Sequence, residues 1–166
     1  MARKLGERVR LYTRNGHDWA SRYPLIVQAV QGLKAETALI DGEVVVCDER
    51  GIADFDRLHS RCYDREATMC AFDLLELNGE EVGLRPLDER KRRLAALLKK
   101  APYGIAINDH TADDGDAIFR AACKMGLEGI VSKRRDLPYR SGRAKSWIKV
   151  KNPTGPAMQR AKDGSF

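Results

Sequence analysis

Thr37-Ala38-Leu39-Ile40-Asp41-Gly42-Glu43-Val44-Val45-Val46-Cys47 carries the strongest strand signal in the chain, an aliphatic, β-branched run with two carboxylates straddling a glycine. A side-chain period of two puts Asp41 and Glu43 on one face of that strand. Burying carboxylates without partners is costly, so both must reach a cation, a hydroxyl or water. A ligand ribose or a metal would satisfy them, and so would plain exposure at a turn or bulge interrupting the strand at Gly42. Asp48-Glu49-Arg50-Gly51 then reads as a turn into a second strand.

Outward from this run, strands and helices alternate irregularly. Arg8 to Tyr12 reads as a strand, closed by a turn at Asn15-Gly16. Pro24 opens a helix with Ile26, Val27, Val30 and Leu33 at helical spacing, and Asp54 to His59 predicts a short helix. Met69 to Leu77 is a buried strand ending at Asn78-Gly79, and Pro86 to Lys100 is a helix with Leu87, Leu94, Leu97 and Leu98 on its apolar side. Ile105 to Ile107 is a short strand, Asp114 to Met125 a helix closed by Gly126, and Gly129 to Lys133 and Trp147 to Lys151 are the last strands. Strands outnumber helices without a strict βαβ rhythm. That pattern predicts an α+β fold with largely antiparallel sheets.

The 166 residues fit one domain, 1–153, followed by a flexible tail, 154–166. No apolar run is long enough to span a bilayer and no signal-peptide pattern opens the chain, so the expected location is cytoplasmic, away from membranes. Cys47, Cys62, Cys70 and Cys123 are widely spaced and read as buried free thiols. A net charge of +6 favours polyanionic partners, with arginines and lysines crowding residues 3–14 and 133–145.

In Trp147-Ile148-Lys149-Val150-Lys151 the period-2 pattern turns Trp147, Lys149 and Lys151 to one face, the two ammonium groups roughly 6 to 7 Å apart along the strand. Such a pair suits phosphate oxygens, or equally a solvated edge strand kept from pairing by its lysines. Glu128 is a third carboxylate, at the edge of the apolar Gly129-Ile130-Val131 run, readable as a site or as an ion-pair partner. Phe72 reads as core packing or as a base-stacking surface, and Arg14 as a solvated turn residue or a phosphate clamp.

Taken in order, Arg14-Asn15-Gly16, Asp41-Gly42-Glu43, Phe72-Asp73-Leu74-Leu75, Glu128-Gly129-Ile130-Val131 and Trp147-x-Lys149-x-Lys151 resemble the ordered motifs of ATP-dependent DNA ligases. The wording between them is most similar to the adenylation domain of bacterial end-joining ligases. The resemblance implies an ATP-grasp-like nucleotidyltransferase fold with a nucleotide cleft between its sheets, with ATP and Mg2+ as cofactors and nicked or broken duplex DNA as partner. It implies that Glu43 holds the ATP ribose, Phe72 stacks on adenine and Lys149 and Lys151 contact the α-phosphate. Glu128 and Asp41 would face the metal, and Arg14 a phosphate of the nicked strand.

The family's nucleophilic lysine lies in a Lys-x-Asp-Gly-x-Arg motif, and these residues contain none. Lys4 lacks the following Asp-Gly and falls downstream of the expected position. Lys151-Asn152-Pro153 leads into too few residues for the OB-fold that follows in such ligases. The expectation is therefore a partial adenylation domain, shortened at its N-terminus and inactive by itself for want of the lysine. A non-catalytic nucleotide- or nucleic-acid-binding module and an RNA ligase-like enzyme are the alternatives. Loss of an N-terminal strand would expose a sheet edge through which the chain could form a homodimer.

Overall fold

A computed structural model of the chain describes residues 1–142 and 144–155, and the expected tail beyond residue 155 lies outside the described residues, as does Arg143 of the basic loop. The chain divides into two compact units. The first comprises Met1–Asn108 with Asp136–Tyr139, and the second comprises Asp109–Arg135 with the residues from Arg140 onward.

The first unit is built on a six-stranded sheet. Strands β1 (Ala2–Leu5) and β2 (Arg8–Leu11) form a hairpin, β3 (Thr37–Val45) pairs with β1, and β4 (Thr68–Leu77) pairs with β3, all antiparallel. β5 (Glu80–Glu81) adds antiparallel to one end of β4, and β6 (Ile105–Ile107) adds parallel to its other end. Helix α1 (Pro24–Gln31) begins at its proline, as the fixed φ of that residue favours, and buries Ile26, Ala29 and Val30. These pack with Ala2, Val9, Leu11, Ala38, Ile40, Met69 and Ala71 from one face of the sheet. A short helix α2 (Phe55–Ser60) is capped by Asp54, whose side chain accepts from the amides of Asp56 and Arg57. Helix α3 (Leu87–Leu98) adds Leu94 and Leu98 to the same core.

The second unit pairs α4 (Gly115–Lys124) with an antiparallel hairpin of β7 (Gly129–Lys133) and β8 (Trp147–Lys151). Gly126 follows α4 at φ 75°, the left-handed conformation that ends a helix without a Cβ clash. With one parallel pairing in an otherwise antiparallel arrangement, the fold is α+β as the pattern predicts. Among the described residues no helix is long and apolar enough to cross a membrane.

Three expectations need correction. β3 runs unbroken through Gly42; the irregularity lies on its partner, where β4 carries the extra residues Phe72 and Leu75 as bulges. No second strand follows Asp48–Gly51, because pairing there is limited to one bridge between Cys47 and Ala53. The four cysteines are free, but none is fully buried, and Cys47 is exposed because β3 ends before reaching it.

Candidate functional site

The predicted residues fall into two groups, each assembled within its own unit. In the first unit, Asp41 and Glu43 flank Gly42 on β3, and Phe72 bulges from β4 where the register steps from Asp41↔Asp73 to Gly42↔Ala71. The glycine is required by packing: a Cβ at position 42 would lie 2.6 Å from Met69 Cε and 2.7 Å from the Cys70 carbonyl oxygen. β4 therefore presses against Gly42. The bulge absorbs the misfit and leaves Phe72 half-buried, while Glu43 is exposed and Asp41 half-buried.

The register sets Asp41 directly opposite Asp73, and like charges in that position repel. Each carboxylate has its own answer. Asp73 is fully buried and receives a two-pronged ion pair from Arg90, at 2.7 Å from Nε and 3.0 Å from Nη2. Arg90 is itself 1% exposed, and its Nη1 donates to the carbonyls of Arg85 and Leu137. Asp41 accepts from the Tyr139 hydroxyl at 2.8 Å and from the Gly42 amide at 3.1 Å. Burial and the bond to Asp41 push the Tyr139 hydroxyl pKa well above its ordinary 10. The segment Asp136–Tyr139 is thus fastened to the first unit at three points, to β3 through Asp41, to α3 through Arg90 and to the turn after β5 through its Tyr139 amide, which donates to the Gly83 carbonyl at 2.8 Å.

Asp73, Arg90 and Tyr139 went unassigned in the sequence reading. A signal existed: Arg90 lies three residues after Leu87 and four before Leu94, on the buried side of α3, where an arginine demands a carboxylate. Arg14 lies in the exposed turn after β2, where the Thr13 amide donates to the His17 carbonyl at 2.9 Å.

In the second unit Lys149 faces Val131 across the hairpin and Lys151 faces Gly129. Both lysines are exposed and share a face with Trp147, whose ring lies 3.8 Å below the Lys133 ammonium. Gly129 has φ 147°, and a Cβ there would meet the Val150 carbonyl oxygen at 2.1 Å. Only glycine lets the strands close beside Lys151. Glu128 enters the hairpin exposed, its carbonyl accepting from the Asn152 amide at 2.8 Å, and the buried Asn152 side chain donates to Leu127 at 2.9 Å. The end of β8 is therefore locked to the entry of β7, which holds Glu128, Lys149 and Lys151 on one hairpin. Among the described residues no three His, Cys, Asp or Glu side chains cluster as metal ligands.

Comparison with known proteins identifies the family of the chain. Residues 1–151 match the ATP dependent DNA ligase domain family. The chain is 39% identical over 147 residues to the multifunctional non-homologous end joining protein LigD of Pseudomonas aeruginosa, covering 86% of this chain and 18% of that protein. A probable DNA ligase of Beutenbergia cavernae is 36% identical over 160 residues, with 31% of its length covered. The crystal structure of the ligase domain of Mycobacterium tuberculosis LigD superposes with a TM-score of 0.79 at 30% identity, over 90% of this chain and 50% of that one. A mycobacterial DNA ligase D complexed with ATP and MES gives the same TM-score and coverage. The chain thus spans half of the solved ligase domains and a smaller share of these curated relatives. It belongs to the family of ATP-dependent DNA ligase domains.

Proposed function

We propose that these residues form the nucleotide-binding part of an ATP-dependent DNA ligase, serving nucleotidyl transfer in the repair of broken or nicked DNA. The observation that carries this reading is the β7–β8 hairpin, which presents Lys149 and Lys151 side by side on one exposed face with Glu128 at its entry. Paired ammonium groups stabilise negative charge gathering on phosphate oxygens during adenylyl transfer, an effect that needs positioning and no bond to the lysines. Lys149 and Lys151 would contact the α-phosphate, Glu43 the ribose and Phe72 the adenine, with Arg14 on a DNA phosphate. The solved relative holding ATP supports the choice of nucleotide.

Magnesium is part of this proposal. It is commonly held by one or two carboxylates plus substrate phosphates, so a three-ligand protein cluster is not needed, and Asp41 and Glu128 are the carboxylates we assign to it. When bound it would neutralise phosphate charge. Asp41 is kept oriented for that task by Tyr139 and the Gly42 amide.

We further propose that these 166 residues alone form no lysine-linked AMP. Lys4, the lysine nearest the expected nucleophile in sequence, is 4% exposed on the core side of β1, where its ammonium donates to the Gln31 carbonyl. Held there, its ammonium is engaged with the backbone and is not free to act as a nucleophile. Calorimetric titration should show ATP binding weakened about tenfold or more by Lys149→Ala, with mass spectrometry detecting no AMP adduct after incubation with ATP and magnesium. Unchanged affinity in the folded variant removes the pocket assignment; an adduct on any lysine overturns the inactivity.

A further inference from the structure

Arg3, Leu5, Arg8, Arg10 and Tyr12 line a concavity of about 230 Å³ on the first unit. The hairpin register explains how: Arg3 stands opposite Arg10 and Leu5 opposite Arg8, so these four share a face. Tyr12, two residues beyond Arg10, continues it. Their neighbours Ala2, Lys4, Val9 and Leu11 are buried on the other side. Three guanidinium groups consequently project from one side of a two-stranded ribbon.

Directly opposed cations destabilise an antiparallel pair, their Cα atoms being about 4.5 to 5.5 Å apart. The carboxylates nearby relieve little of this. Glu76 lies 3.8 Å from Arg3 and Asp18 3.8 Å from Arg10, both at the far limit of an ion pair, and the two arginines remain 38% and 42% exposed. Arg8 is exposed and has no ion-pair partner among the described residues. Leu5, 45% exposed, gives the arginine stems an apolar floor to lie on. An anion in the concavity would turn the repulsion into a charge-assisted, two-pronged grip.

We propose that this face of the β1–β2 hairpin is a phosphate site for the backbone of duplex DNA, Arg3 and Arg10 closing on one phosphate and Arg8 on the next. Arg8 and Arg10 are separated by about 7 Å along the strand, which suits successive phosphates better than a single small anion. β2 is the sheet's outer strand, so a polymer can run past it. The site lies on the same face of the sheet as Asp41 and Glu43, because Arg3 pairs with Leu39 and residues 39, 41 and 43 alternate to that side. The choice of DNA rests on the ligase reading; the anion site rests on the hairpin geometry.

The test is fluorescence anisotropy of a labelled nicked duplex across a potassium chloride series, without nucleotide, on wild type, Arg8→Gln and the double variant Arg8→Gln/Arg10→Gln. Each phosphate contact contributes about 0.9 to the slope of log affinity against log salt. Arg8→Gln, at an exposed position without an ion pair, should keep its melting temperature and lose about 0.9 of slope, and the double variant about 1.8. ATP affinity measured by calorimetry should not change, so failure of the nucleotide pocket would register separately. An unchanged slope in folded Arg8→Gln overturns the proposal and leaves the arginines as protection of the edge strand. Displacement of the duplex by millimolar inorganic phosphate as readily as by unlabelled duplex also overturns it, in favour of a small-anion site.

Discussion

The two units hold their charged groups by opposite means. In the first, carboxylates that would repel across β3 and β4 are each tied to a side chain from elsewhere in the chain, Asp73 to Arg90 and Asp41 to Tyr139. In the second, Lys149 and Lys151 are aligned by backbone pairing and by the close approach that Gly129 permits, with the lysine side chains exposed. Buried charge needs a partner to exist at all, whereas exposed charge needs only a scaffold that fixes its direction. A sheet face built the first way is rigid and costly to edit. A hairpin built the second way can offer cations to a ligand without spending stability on them.

Breaking the first arrangement should give the largest effect. Arg90→Leu leaves Asp73 as a buried carboxylate without its cation and frees the carbonyls of Arg85 and Leu137, so urea unfolding should show a loss of about 3–5 kcal/mol. Replacing both partners in Asp73→Leu/Arg90→Leu should cost less than Arg90→Leu alone, since no unpaired charge then remains. If the double variant is the less stable of the two, the pair is acting as more than charge compensation.

Gly129→Ala probes the second arrangement. A methyl group 2.1 Å from the Val150 carbonyl oxygen and 2.9 Å from Lys151 Cα forces the strands apart at the point where Lys151 is aligned. The expected cost is about 1–3 kcal/mol, confined to the hairpin. Hydrogen exchange should quicken in β7 and β8 while β3 and β4 keep their protection, and ATP affinity should fall. Equal loss of protection in both units would mean that the hairpin is not the separate device described here.

Much of the fold was legible because local pattern and tertiary demand agree. β6, β7 and β8 have the bounds that the sequence reading predicts, and α1 begins at its proline. β1 escaped notice because Arg3-Lys4-Leu5 reads as a basic cluster, and Lys4 is buried only through the carbonyl of Gln31, 27 residues away. Gly42 pointed to a break in β3 because sequence gives a glycine no neighbours; the structure supplies β4 pressing on it and moves the irregularity to Phe72. The motif residues were readable one by one. Arg90 could be read as a buried arginine in need of a carboxylate, but the pairings could not, since Asp73 meets Arg90 across 17 residues and Asp41 meets Tyr139 across 98.

The smallest expected effect sharpens that last point. Tyr139→Phe removes one hydroxyl and keeps the ring, so below pH 10 it should destabilise the first unit by about 1 kcal/mol through the lost bond to Asp41. The folded protein holds the Tyr139 proton more tightly than the unfolded chain, which releases it near the ordinary value of 10. Above that pH the folded state binds more protons than the unfolded one, and stability falls as pH rises. The wild type's advantage over Tyr139→Phe should therefore be full below pH 10 and shrink above it, a trend measurable by urea unfolding at a series of alkaline pH values. Tyr23, also raised by burial, contributes the same decline to both proteins and cancels in the difference. An advantage that stays constant through this range would mean that the ring's packing, and not the hydroxyl on Asp41, fastens the Asp136–Tyr139 segment to the sheet.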